Sequence, residues 1–327
     1  MAGKLTLASI LALFATGASA ASIELIDVPG ATFTAPTAVD SQGNVFGYWF
    51  DLDFLAHGFV RTPGGHIQTF NAPGLINVAT SGADPRGDLA GHYEIHSHWN
   101  GFVRTYKGNT RVFESRKGNT FLEAVDERHG VVGHHYNNGH IHGFWARWNG
   151  KMKTIDAPGA TDTYLTALTS DGTIAGTFNT GSQVAPMGAG FIRHPDRSVT
   201  TFSVGDAPWT SVTGMNDAGT IVGHYTGSDS IGHCFVRAAD GTITSFDPEG
   251  STSARPAAIN ATGAVTGSYD DTPSTRRGFV RAADGGMESF AVPDAVWTLP
   301  RAINDSGVVA GEWTTSTGAR HGFVRTP

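Results

Sequence analysis

Apolar and polar residues alternate over short runs through most of this chain, and the runs return at one period. Ser211 to Asp247 shows a whole unit. Val212-Thr213-Gly214-Met215 reads as a short strand, and Asn216-Asp217-Ala218-Gly219 as a glycine-closed turn. Thr220 to Tyr225 is a second strand, Thr226 to Ile231 a loop, and Cys234 to Arg237 a third strand. Ala238-Ala239-Asp240-Gly241 turns the chain again, into a fourth strand over Thr242–Phe246. No segment has the period of a long amphipathic helix.

The third strand carries the clearest word. It reads Gly-Phe-Val-Arg at Gly58–Arg61, Gly101–Arg104, Gly278–Arg281 and Gly322–Arg325, with variants at Gly143–Arg147, Gly190–Arg193 and Cys234–Arg237. Successive phenylalanines are 43, 42, 47, 44, 44 and 44 residues apart. A fixed period of roughly 40–50 residues fits one four-stranded propeller blade per repeat. Seven copies therefore predict an all-β, seven-bladed β-propeller, and they number the repeats used below. The last copy leaves repeat 7 without a fourth strand. Ile23-Glu24-Leu25-Ile26-Asp27 before Val28-Pro29-Gly30-Ala31 matches Met152-Lys153-Thr154-Ile155-Asp156 before Ala157-Pro158-Gly159-Ala160. The N-terminal strand is thus expected to complete repeat 7 and close the ring, leaving few free sheet edges.

Two glycine series follow the same period. Gly43, Gly87, Gly130, Gly172, Gly219, Gly263 and Gly307 are read as turn positions. Gly47, Gly91, Gly133, Gly176, Gly223, Gly267 and Gly311 fall inside the second strand, where a glycine implies a close neighbour, expected to be the adjoining blade.

Residues 1–20 have the pattern of a secretory signal peptide: Lys4, an apolar run from Leu5 to Phe14, and Ala18-Ser19-Ala20 as the cleavage site. Residues 21–327 are then the propeller domain, in a secreted or periplasmic protein without a membrane span. Cys234 is the only cysteine, so no intramolecular disulfide can form. The formal charge of -7 without a basic run argues against nucleic acid as a partner. A monomer is expected.

Ala302-Ile303-Asn304-Asp305-Ser306-Gly307-Val308-Val309-Ala310-Gly311 and His321-Gly322-Phe323-Val324-Arg325 resemble the bacterial extracellular repeats called HAF-type repeats. The likeness extends over the mature chain. It implies a secreted, propeller-like protein of a family mostly without assigned activity. Many relatives carry a C-terminal sorting tail; the sequence here ends inside repeat 7, so anchoring by such a tail is not expected.

The seven arginines of the third strands could form a cationic ring for a polyanion. The structural alternative is preferred, with pairing to groups such as Asp27, Asn71, Asp156 or Asp247. Histidine is less regular. After the second-strand glycine stand Tyr48, His92, His134, Thr177, His224, Ser268 and Glu312; before the Gly-Phe pair stand His57, Asn100, His142, Ala189, His233, Arg277 and His321. Both sets are expected on one loop face, with His96, His98, His135 and His140.

Three chemistries compete with a purely structural role for these histidines. The first is binding of an extracellular glycan or protein, by His57, His142, His233 and His321 with Trp49, Trp99 and Trp313. A polysaccharide is the leading ligand. The second is a polysaccharide-lyase type of acid–base catalysis, by His92, His134 and His224 with Tyr93, Tyr136 and Tyr225. The third is a divalent-metal cofactor on His134, His135, His140 and His142, which match no standard ligand spacing. Asp51, Asp53, Glu94 and Glu312 leave a two-carboxylate mechanism open. No nucleophile elbow, HExxH motif or phosphate loop occurs. The basic pair Arg116-Lys117 and the long loop of repeat 4, with Pro186 and Met187, mark departures from symmetry.

Overall fold

The computed structural model describes residues 21–71, 76–115, 118–181 and 187–327. Residues 1–20, where a signal peptide is expected, the Arg116-Lys117 pair and Pro186 lie outside them. The described chain is all β: 28 strands in antiparallel groups of four, and no helix among the described residues. No helix is long and apolar enough to cross a membrane among those residues.

Repeat 5 illustrates the group. Trp209–Met215, Ile221–Thr226, Gly232–Arg237 and Ile243–Phe246 pair in sequence order, each antiparallel to the last. Gly219 closes the first turn with a φ of 76°, a left-handed conformation that costs glycine little. In repeat 3 the turn has the same span, but the expected glycine is not at its left-handed position. His129 takes the left-handed position (φ 59°), and Gly130 begins the next strand.

Seven phenylalanines, Phe59, Phe102, Phe144, Phe191, Phe235, Phe279 and Phe323, are at most 1% exposed. Each contributes about 1.5–3 kcal/mol of burial free energy. They sit in apolar clusters that bridge consecutive repeats. Phe235, for instance, packs with Ala175 and Ile192 of repeat 4. Ile26, Val28, Val39, Val45 and Phe59 share a cluster with Ala310 and Val324 of repeat 7. The expected N-terminal strand is present: Ser22–Ile26 lies antiparallel to Arg320–Thr326, with Ser22 opposite Thr326 and Ile26 opposite Gly322.

The second-strand glycines have a different reason from the one expected. A Cβ on Gly133 would lie 2.0 Å from the Phe121 carbonyl oxygen, and one on Gly223 2.0 Å from that of Ser211. In four repeats the ring of the same repeat's own third-strand phenylalanine is the next obstacle, as with Phe235 at 2.7 Å from a Cβ on Gly223. The close neighbour is therefore the glycine's own repeat, not the adjoining one.

Candidate functional site

One departure from regular pairing is common to every repeat. Between its first and second strands the register slips by one residue, leaving Thr37, Ser81, Glu123, Thr166, Thr213, Ala257 and Arg301 as the extra residues. Such a bulge re-aims a side chain, and bulges recur beside active sites. Here the bulged residue meets the one after the second-strand glycine. Glu123 Oε1 is 3.4 Å from His134 Nδ1, Ser81 Oγ is 3.5 Å from His92 Nδ1, and the Arg301 guanidinium donates to Glu312.

Repeats 2 to 4 assemble an aromatic cluster at this level. The Phe121 ring stacks on His134 with centroids 5.2 Å apart and meets the edge of His92 at 5.2 Å. Trp99 lies 5.3 Å from His92, while Tyr164 and Tyr136 lie 5.5 and 6.4 Å from His134. Burial holds His92 and His134 at about 4, with the charge of His134 adding to the effect on His92 and that of His135 to the effect on His134. Burial pushes the Glu123 carboxyl the other way, up to about 7, even with 37% of its side-chain surface open to solvent. A neutral imidazole thus stands beside a carboxyl that holds its proton near neutral pH. In repeat 5, His224 is also held at about 4, by burial first and the Arg255 charge second.

The histidines before the Gly-Phe pair face the other side of the sheet. In antiparallel pairing, opposed residues share a face: His57 opposes Trp49, whereas Tyr48 opposes Gly58. His57, His233 and His321 stack on Trp49, Tyr225 and Trp313 at 4.7, 5.2 and 4.8 Å. Their Nδ1 atoms meet Asn71, Asp247 and Asp27 at 3.0, 2.6 and 2.8 Å; His142 meets Asp156 at 2.9 Å and lies against His135. Each set is a cross-strand bracket of ring, histidine and acid or amide. In repeat 2, Tyr93, Asn100 and Glu114 take these places, with the Tyr93 hydroxyl donating to Glu114.

This alternation divides the predicted site residues. His92, His134 and His224 occupy the bulged face, together with Trp99 and Tyr136. Tyr93 and Tyr225, each one residue beyond a histidine, turn to the opposite face; Tyr93 is 1% exposed. His57, His142, His233 and His321 join Trp49 and Trp313 on that opposite face. The expected metal quartet is split as well. His134 and His135 point to opposite sides, and His140 is half exposed beside Asp162. Among the described residues no three His, Cys, Asp or Glu side chains come together to hold a metal ion.

The arginine partners also differ from those expected, because Asn71, Asp156, Asp247 and Asp27 bind histidines. Arg61 and Arg325 pair with Glu24 and Glu288. Arg104, Arg237, Arg281 and Arg325 lie over Phe70, Phe202, Phe246 and Phe290, at 4.6, 5.0, 4.8 and 5.1 Å. These rings belong to the preceding repeat's fourth strand, so each arginine fastens one repeat to the next. Of the carboxylates, Asp51 holds His57, Glu94 accepts from Asn77, and Glu312 accepts from Arg301 and Arg320.

At the far end of the first strands lies a cavity of about 350 Å³, lined from every repeat and including Asp84, Asp126, Asn216, Asn260 and Asn304. Its walls come from the ends of the first strands and the turns that follow them, which the recurring sequence words do not mark as a cavity. Here Asn216 Nδ2 donates to the Asn260 carbonyl, Asn260 to that of Asn304, and Asn304 to that of Asp40, the last at 2.8 Å.

Repeated four-stranded antiparallel groups with ring-stacked junctions define the β-propeller class, and comparison of structures agrees. The streptogramin B lyase structure superposes with a TM-score of 0.63 at 13% identity, covering 94% of this chain and 98% of that one. The propeller domain of the trilobed protease of Pyrococcus furiosus gives 0.69 at 10% identity, covering 89% and 94%. A catalytically inactive virginiamycin B lyase from Staphylococcus aureus, with quinupristin, gives 0.59 at 14%, covering 94% and 99%. No protein-family model and no curated protein matches the sequence.

Proposed function

We propose that this chain is a secreted, closed, seven-bladed propeller of the HAF-repeat kind that binds an extracellular carbohydrate on its bulged face. Three features support closure: the Ser22–Ile26 pairing with repeat 7, the core cluster shared by repeats 1 and 7, and the Asn304-to-Asp40 hydrogen bond. Binding rests on one observation. Trp99, His92, Phe121, His134, Tyr136 and Tyr164, from three repeats, form one continuous set of rings. Sugar rings present C–H faces that stack on such surfaces, and the neutral imidazoles and phenols supply hydrogen bonds.

A glycan array followed by calorimetry tests this. Phe121→Ala and Trp99→Ala should each weaken the best glycan about tenfold, or ~1.4 kcal/mol, with the melting temperature little changed. A folded protein that retains no glycan contradicts the proposal.

The His134–Glu123 pair supports a second reading, a lyase. Neutral His134 would take the proton beside a sugar carboxylate while Glu123 gives its proton to the departing glycosidic oxygen. The C–O bond breaks and a C=C bond forms, so charge and atoms balance. Two of the structural neighbours are lyases on this fold, though fold alone assigns no chemistry. Ultraviolet absorbance from an unsaturated uronate would register turnover. Glu123→Gln should then cost about 10²–10⁴ in rate. Its absence with every acidic polysaccharide tried leaves binding alone.

A further inference from the structure

Opposite the aromatic repeats, the same bulged face changes character. Arg255 holds in repeat 6 the register position that Phe121 and Tyr164 hold in repeats 3 and 4, each opposite the residue after the second-strand glycine. Arg301 holds in repeat 7 the bulged position that Glu123 holds in repeat 3. Arg301 and Arg320 both donate to Glu312, whose side chain is 3% exposed, while their own side chains remain 49% and 46% exposed. Arg320 also lies over the Phe33 ring, 4.1 Å from its centroid. One carboxylate thus fixes two guanidinium groups and neutralises only one. Arg255 is exposed and forms no ion pair among the described residues, yet it is close enough for its charge to act on His224.

The nearby cations on the rim are already matched, Arg276 by Asp270 and Arg277 by Asp271. Arg255, Arg301 and Arg320 against Glu312 leave two positive charges in a chain whose formal net charge is -7. Arg255 borders repeat 5 beside Gly232 and His224, and it pairs with no acid among the described residues.

We infer that the bulged face binds an acidic sugar, the rings of repeats 2 to 4 taking its apolar faces and Arg255, Arg301 and Arg320 taking its carboxylate. This rests on the carbohydrate-binding reading and adds the ligand's charge. Guanidinium groups match a planar carboxylate through paired N–H donors. Holding Arg301 and Arg320 on a buried acid spares the ligand the entropy of ordering them.

The test is calorimetry on the mature protein with a panel of uronate hexasaccharides, their methyl esters and a sulfated neutral hexasaccharide. The free acid should bind about tenfold or more tighter than its ester, and the preference should shrink as salt is raised. Arg255→Gln should weaken the acid about tenfold and leave the ester unchanged. Arg301→Gln should do the same, with a melt to confirm folding. Equal affinity for acid and ester, or an Arg255→Gln variant that binds the acid as the parent does, overturns the inference. If the ester still binds and Trp99→Ala weakens it, the aromatic site stands and only its charge preference falls. If the sulfated sugar binds and the uronates do not, the carboxylate assignment is wrong. If nothing in the panel binds, both readings fall together.

Discussion

His134 and Glu123 lie 3.4 Å apart with their proton affinities displaced in opposite directions, and this has a measurable consequence for the fold. His92, His134 and His224 titrate at about 4 in the folded chain, against the ordinary 6.5 when unfolded. Below about pH 6.5 the unfolded chain therefore takes up protons that the folded one refuses, and stability falls until about pH 4. Glu123 works in the opposite sense. Its carboxyl, at about 7 when folded and 4.5 when unfolded, adds stability that is fully present below 4.5 and lost as pH rises through 7. His233, raised by its bond to Asp247, also favours the fold on the acid side. Three depressed histidines outweigh these two, so the melting temperature should drop steadily between pH 6.5 and 4.5. His224→Asn should flatten that slope by about a half, since Glu123 already offsets one of the three histidines. A melt independent of pH over this window would mean the three imidazoles are not sheltered.

At the scale of the strand, the bulge and the glycine beneath it form one device. The slipped register carries the first strand's carbonyl over the second-strand glycine, so that no side chain fits there. Gly133→Ala places a carbon 2.0 Å from the Phe121 oxygen and 2.9 Å from the Leu122 Cα. Both obstacles are backbone, and the cost should reach about 3 kcal/mol or prevent folding. Gly214→Ala is the control, because its Cβ would meet nothing nearer than 3.5 Å. Equal melts for the two variants would show that the close approach is not what fixes the glycine.

The strands themselves were legible because hydrophobic alternation and Gly-closed turns report on local backbone. The seven buried phenylalanines and the N-terminal strand on repeat 7 were readable for the same reason. The bulge was not: Thr37, Ser81, Thr166 and Thr213 carry hydroxyls, but Glu123, Ala257 and Arg301 do not, and only backbone position unites all seven. Strict two-residue alternation would have separated His92 from Tyr93 and His224 from Tyr225. The arginine partners were hidden differently. Arg104 over Phe70 and Arg325 beside Glu288 join different repeats, and spacing within one repeat carries no trace of such contacts.

Across the molecule, each junction between repeats is built from similar parts, yet the one between repeats 7 and 1 joins segments from opposite ends of the chain. Deleting residues 22–26 would bare the edge of the Arg320–Thr326 strand, remove Ile26 from its cluster and leave Arg61 without Glu24. The expected result is a large loss of melting temperature and a tendency to associate through the bared edge, visible by light scattering. Asn304→Ala should be milder, about 2–3 kcal/mol, because it removes the donor to the Asp40 carbonyl and the acceptor of the Ser306 and Val308 N–H groups. A deletion variant that melts like the parent would show that this junction contributes little.

The pairing of Ser22 with Thr326 also sets how the molecule responds to force. Both outer ends of that two-strand ladder point the same way. A load applied through the two termini opens its hydrogen bonds one after another, as a zipper opens, instead of shearing all of them together. A tether pulling on both ends should detach Ser22–Ile26 at low force before the remaining groups yield. A handle placed on the Gly241 turn, with the N-terminus free, should leave that strand in place.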